Sequence, residues 1–185
     1  IYARRNNGIT SALAQADKTS VLFFLGVHDI YFVNWCAASR VETVFGSSHQ
    51  KVLGDFDTPD TTLALLKYEN GMIASLEFSW VLPASVPSRI EARFEAVGTE
   101  GLINLDGGNR AVEVIAATGI DAPDTWYTPE VDGLTVGILR DEISHFVDCV
   151  RDDREPAVSG EDGREAVRVV CAVAESLASG HPVTL

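Results

Sequence analysis

Hydrophobic side chains fill positions 21–35 (VLFFLGVHDIYFVNW) almost without a break, and on a helical projection they cover every side. A segment of that kind predicts a helix from Val21 to about Ala38, capped by Thr19 or Ser20 and buried all round. Before it, residues 4–19 carry Asn6-Asn7-Gly8 and several small residues, which predict a short strand followed by a loop. After Arg40 the repeat changes from helical to two. Val41, Thr43 and Phe45 share one side of a strand, with Glu42 and Val44 on the other. Thr61 to Tyr68 predicts the next strand, Glu69-Asn70-Gly71 a tight turn, and Met72 to Trp80 a strand with Met72, Ala74, Leu76, Phe78 and Trp80 on one side. Arg89 to Val97 sets Ile90, Ala92, Phe94 and Ala96 against Arg89, Glu91, Arg93 and Glu95. Leu102 to Leu105 and Ala111 to Ala116 complete what reads as an antiparallel meander. Helices return at Asp141 to Val150 and from about Glu161 to Ser179. Gly180 ends the last one, and His181-Pro182-Val183 trails away.

The order helix, strands, helices makes residues 1–185 one α+β domain, with 46% hydrophobic and 22% charged residues as in an ordinary globular protein. A sheet covered by helices on one face leaves its other face to water or to a partner. Leu63, Leu65, Trp80 and Val81-Leu82-Pro83 are candidates for subunit pairing. A net charge of −13 argues against nucleic acid, which needs clustered cations. It suits a halophilic source and, nearly as well, any acidic protein kept soluble by its charge. No apolar run reaches membrane-spanning length, and residues 1–7 do not read as a signal peptide, so a cytoplasmic location is expected by default. Cys36, Cys149 and Cys171 lack the spacing of a disulfide framework or a zinc site, and no metal ligand set is expected. Cys149 and Cys171 fall in apolar helical patterns and are expected in the core.

His28 is the residue of chemical interest. On a regular helix it shares its side with Val21, Phe24, Tyr31, Phe32 and Trp35. A lone histidine among aromatics reads first as a packed core residue with one hydrogen bond. The chemical alternative is that imidazole is the side chain best suited to exchange a proton near neutral pH. Asp29 could orient a partner in such a site, Lys18 could meet a substrate oxygen, and Arg4, Arg5, Asn6 and Asn7 could bind hydroxyls; for each, solvation is the plainer reading. Trp126 and Tyr127, between Pro123 and Pro129, could stack on a sugar or plug a core edge. No GxGxxG occurs, and Asp106-Gly107-Gly108-Asn109 precedes a strand rather than a helix, so no residue here is a candidate for holding a dinucleotide.

Several stretches in order carry a resemblance: Gly26-Val27-His28-Asp29-Ile30 with Trp35, Asp57-Thr58-Pro59-Asp60, Tyr68-Glu69-Asn70-Gly71, Ser75-Leu76-Glu77-Phe78-Ser79-Trp80, Glu95-Ala96-Val97-Gly98-Thr99-Glu100-Gly101, residues 142–150 and residues 155–163. Together they resemble the C-terminal domain of the Gfo/Idh/MocA oxidoreductases, the family of glucose-fructose oxidoreductase and inositol dehydrogenase. The resemblance covers nearly the whole chain. It implies an open, predominantly antiparallel sheet with helices packed on one face, of the kind also seen in dihydrodipicolinate reductase. It implies a substrate-binding and oligomerisation domain, with the N-terminal Rossmann domain absent from this chain. It implies NAD or NADP held mainly by that other domain, with no cofactor expected on this chain alone. A sugar or polyol substrate and a homo-oligomer built through the open sheet face follow from it too, with no nucleic acid or membrane partner.

His28 aligns with the family's catalytic histidine, and Lys18, Arg5, Asp29 and Tyr31 are the candidate substrate contacts. Two positions depart from the family. Its aspartate four residues before the histidine is Phe24 here, and its aspartate three residues after is Tyr31. Phenyl for carboxylate removes a hydrogen-bond acceptor and a charge that favours imidazolium. The expected function is hydride-transfer oxidation of a hydroxy compound in the full-length protein; the alternative is a non-catalytic binding or assembly module that kept the fold.

Overall fold

A computed structural model describes residues 1–86, 90–108 and 112–185. Arg89 and Ala111, the predicted first residues of two strands, lie outside the described residues. The chain forms two compact units, residues 1–108 with 161–185, and residues 109–160.

The first unit is built on a seven-stranded sheet. Its strands are β1 (Tyr2–Gly8), β2 (Val41–His49), β3 (Thr61–Tyr68), β4 (Ile73–Leu82), β5 (Ile90–Gly98), β6 (Gly101–Asp106) and β11 (Val183–Thr184), in the order β11-β2-β3-β4-β1-β5-β6. Its helices are α1 (Ile9–Gln15), α2 (Val27–Ala37) and α4 (Gly160–Ser179), the last beginning at the unit's border. The predicted period-two strands are all present. Their arrangement is not a meander: β1 inserts between β4 and β5, parallel to β4 and antiparallel to β5. Sequence alternation cannot show such an insertion, because it records which side a residue faces and not which strand lies beside it. Residues 9–15, expected as loop, form α1, whose Ala12 is fully buried in the core. The tail expected to trail away pairs with β2 through Val183 and Thr184.

One face of this sheet makes the core. Ala3, Val44, Ala64, Leu66, Leu76, Phe78, Trp80 and Phe94 meet Leu22, Leu25, Ile30 and Val33 from the second helical segment and Val169, Val170 and Val173 from α4. Burial on this scale, roughly 1.5–3 kcal/mol for each large side chain, is the main force holding helices to sheet. Gly46 of β2 lets α4 approach: a Cβ there would lie 2.9 Å from Leu177 Cδ2. Ser176 Oγ closes the seam, accepting the Gly46 N–H at 3.0 Å and donating to the His181 carbonyl at 2.7 Å. Trp80, expected in an exposed pairing patch, is instead fully buried on this helix side. Cys171, expected in the core, is exposed.

Among the described residues of this unit, the helices pack on that one face of the sheet. Phe45, Leu63 and Leu65 are exposed on β2 and β3, while a polar network runs over β4, β1 and β5. Tyr2 Oη and Asn6 Nδ2 both donate to Glu77, at 3.1 and 2.9 Å, and Arg4 pairs with Glu91.

Asp60 organises the loop between β2 and β3. Its carboxylate accepts the backbone N–H groups of Lys51, Val52 and Leu53 at 2.6, 2.7 and 2.8 Å. Burial alone opposes its charge, but the three N–H donors outweigh burial and hold its pKa below the usual carboxylate value. The folded pKa is thus lower than the unfolded one, near 3.9. The stabilisation is present above the unfolded value and is lost as pH falls through the folded value. Asp60→Asn is expected to lower stability by about 1–3 kcal/mol at neutral pH, and to cost progressively less below pH ~4. Urea unfolding at several pH values checks this.

The second unit contains two small hairpins, β7 (Val114–Ala116) with β8 (Gly119–Asp121) and β9 (Glu130–Val131) with β10 (Leu134–Thr135), followed by α3 (Ile138–Arg151). Asp124 gathers the N–H groups of Trp126, Tyr127 and Thr128, so those two aromatics sit in a built turn. Cys149 is buried here, as its helical pattern predicts.

Candidate active site

The segment that carries His28 is not a regular helix. Val21 begins it, Ser20 Oγ accepts the Phe23 N–H at 3.4 Å, and Leu22–Gly26 then wind as a π-helix that runs directly into α2. Such wide turns are rare and recur at functional positions. Gly26 makes this one possible, because a Cβ on it would come within 3.0 Å of Leu22 Cδ1 and 3.1 Å of Phe78 Cε2. Phe78 is a fully buried ring at the centre of the sheet.

The rotation of α2 about its axis is set by its buried positions. Ile30 and Val33 sit in the core. Asp29 is only 6% exposed, and Arg5 of β1 grips both its oxygens, Nε to Oδ2 at 2.7 Å and Nη2 to Oδ1 at 3.2 Å. A planar guanidinium meeting a carboxylate in this two-pronged way fixes direction as well as distance. Successive helical residues lie about 100° apart, so locking Asp29 inward carries His28 outward. His28 is exposed. The expectation that this helix is buried all round is therefore corrected: Phe23, His28 and Trp35 face outward, Trp35 at 68% exposure. Hydrophobicity on every side predicts burial, but only the side that carries Asp29, Ile30 and Val33 is covered within this unit.

The outward side is aromatic. Trp35 stacks on Phe32 with centroids 5.9 Å apart, and Phe32 meets Phe94 edge-on at 4.8 Å, so an exposed ring is tied to the core through two contacts. Tyr31, one turn beyond His28, is half-buried. Burial raises its hydroxyl pKa, and the charge of Asp162 near the start of α4 raises it further. Tyr31 is a neutral hydroxyl where a carboxylate was expected from the family.

The run Arg4 to Asn7 is divided by strand alternation. Arg4 and Asn6 belong to the network on the open face, and Arg5 and Asn7 to the helix side. Asn7 is 7% exposed and its Oδ1 has no hydrogen-bond partner among the described residues. A buried amide oxygen without a partner is uncommon, and this one lies two residues from the Arg5–Asp29 pair. It was not singled out ahead of its neighbours from sequence; its position on the same side of the strand as Arg5 is the signal that marks it.

Lys18 lies in a different setting, a cleft of about 470 Å³ lined by residues 16–19 and 55–57. Its ammonium donates to the Ala14 carbonyl at 3.1 Å and is 3.8 Å from Asp17. With Asp17, Asp55 and Asp57 around it, the cleft is acidic. Among the described residues no three His, Cys, Asp or Glu side chains come together as a metal site, and no helix is long and apolar enough to cross a membrane.

Residues 14–185 match the family described as the oxidoreductase family, C-terminal alpha/beta domain, of Gfo/Idh/MocA type. The chain belongs to this family. Among curated relatives of this Gfo/Idh/MocA domain, the uncharacterized oxidoreductase YrbE of Bacillus subtilis is 27% identical over 87% of this chain and 47% of its own length. The scyllo-inositol 2-dehydrogenase (NAD(+)) of the same organism is 24% identical over 98% of this chain and 52% of its own. The chain thus spans about half the length of the curated relatives it matches. Solved structures agree on the fold. Myo-inositol 2-dehydrogenase from Lactobacillus plantarum superposes with a TM-score of 0.75 at 22% identity, covering all of this chain and 56% of that one. Scyllo-inositol dehydrogenase from Lactobacillus casei, with bound cofactor NAD(H) and scyllo-inositol, gives 0.73 at 17% identity over 99% of this chain and 56% of that one.

Proposed function

We propose that this Gfo/Idh/MocA domain is the substrate-binding half of an NAD(P)-dependent oxidoreductase that acts on a hydroxyl of a sugar or polyol, with His28 as the group that takes the hydroxyl proton. The observation that carries the reading is the outward imidazole of His28 beside an inward, locked Asp29. An exposed histidine on this helix is accessible to a substrate, and the reading is supported by relatives of twice the length that include inositol dehydrogenases. In such an oxidation the C–H hydrogen leaves as hydride and the O–H proton goes to a base, so the alcohol becomes a carbonyl.

The described residues fit the substrate side of that chemistry and not the phosphates of a dinucleotide. Parallel pairing here is limited to β1 with β4, and β1 passes through Gly8 into a seven-residue helix without a glycine-rich turn. NAD or NADP, the hydride acceptor, would therefore be held by a Rossmann domain outside these residues. Within this chain, Arg5 positions Asp29 and through it α2. Asn7 and Tyr31 offer an amide and a hydroxyl to substrate oxygens, and Lys18 is a more distant candidate in its own cleft. The open face, with Phe45, Leu63 and Leu65 beside the Glu77 and Glu91 network, is proposed as the surface on which copies of the protein associate.

Turnover of the intact protein is the test. With NAD or NADP, reduction of the nicotinamide is expected with at least one member of a panel of inositols, hexoses and their lactols. A protein that binds the nucleotide yet reduces it with none of them would overturn the reading. Phe24 and Tyr31, in place of two carboxylates, favour the second reading, a binding module, in that event.

A further inference from the structure

The second unit holds an imidazole and a thiol with no part in the chemistry proposed for His28. His145 and Cys149 sit one turn apart on α3, with His145 Nε2 3.5 Å from Cys149 Sγ. That spacing suits a thiolate–imidazolium pair, but the hydrogen bonds speak against one. His145 Nε2 accepts the Ala157 N–H at 2.9 Å, and a neutral imidazole nitrogen has a single lone pair to offer. The ring is therefore neutral, with its proton on Nδ1. The Cys149 thiol donates instead to the Glu155 carbonyl at 3.7 Å. The Arg154 N–H reaches the Cys149 carbonyl at 3.0 Å, so residues 154–157 are fastened back along α3 at three points.

We propose that His145 is the latch of the connection between α3 and α4, and that one proton from water opens it. His145 is half-buried, so water reaches it. When the ring takes up its second proton, Nε2 becomes a donor and meets the Ala157 N–H donor to donor. The bond is lost, the two groups repel, and residues 154–157 come away from the helix. The latch is thus closed toward alkaline pH and open toward acid. Among the described residues, the charged groups around the ring are Asp141, Glu142 and Asp148 within one turn on α3, and Arg154 and Glu155 on the connection. Asp148 is already paired with Arg151 at 2.7 Å. The remaining carboxylates outnumber the Arg154 guanidinium, so the imidazolium formed on opening stands in acidic surroundings.

Hydrogen exchange of the intact protein reads the latch, followed by mass spectrometry over residues 152–160 and divided by the intrinsic rate at each pH. Protection of the unsubstituted protein is expected to fall about tenfold between pH ~8 and pH ~5.5, the worth of one hydrogen bond. His145→Gln sets a carbonyl oxygen, which takes up no proton in this range, where Nε2 stands, and is expected to keep its protection throughout. His145→Phe has no acceptor and is expected to be unprotected at both ends. Protection of the unsubstituted protein that ignores pH overturns the inference. So does an equal fall in His145→Gln, which assigns the proton to another group, or protection that survives in His145→Phe. A parallel loss over β3 makes the effect global and overturns it as well. The measurement needs no substrate, so it succeeds or fails independently of the role given to His28.

Discussion

His28→Ala in the intact protein is expected to lower kcat by about two to four orders of magnitude, the usual contribution of a positioned general base. KM is expected to change by only a few-fold, because the proton moves in the transition state and the imidazole adds little to ground-state binding. Folding should not suffer. His28 is exposed, and truncating an exposed side chain costs within about 0.5 kcal/mol. Steady-state kinetics together with a thermal melt separate the two effects. A full kcat with an unchanged melt removes His28 from the chemistry and leaves the module reading. A lost kcat with a collapsed melt means that the ring is structural.

The second large effect concerns the pair that aims His28. Arg5→Met is expected to destabilise the first unit by about 3–5 kcal/mol, because it leaves the Asp29 carboxylate in a site only 6% exposed with its two-pronged partner gone. The loss arises from the stranded charge more than from the missing attraction. Removing both partners together, Arg5→Met with Asp29→Leu, is therefore expected to recover much of the stability. Urea unfolding of the two single variants and the double gives the coupling directly, and strictly additive changes would exclude the pair as the clamp of α2. The double variant is also expected to stay catalytically poor, since α2 is then free to settle at another rotation and His28 need not face outward at the same angle. Recovery of stability without recovery of kcat would distinguish aiming from mere support.

The strands of this protein are legible one by one because alternation is local. Thr61 to Tyr68 is read correctly to the residue, and Asn70 closes the following turn by accepting the Met72 N–H and donating to the Ala37 carbonyl. The closing helices are legible for the same reason, as is the order of motifs that marks the family. His28, Arg5, Asp29 and Tyr31 stand out as candidates from residue type and resemblance. Their relation to one another does not. Asp29 reads as a substrate contact from its place beside His28, yet it is bound inward by a residue 24 positions earlier.

What the amino-acid order determined by itself is the kind of each element and the chemistry on offer, since periodicity and residue type act over a few neighbours. Only the tertiary structure decided that β1 lies between β4 and β5, that the final residues join β2, and that Leu22–Gly26 wind as a π turn ahead of α2. Each of those depends on contacts between segments far apart in the chain, such as Phe78 against Gly26 or Ser75 against Tyr2. A one-residue change of helical register costs little locally and is settled by the packing it meets.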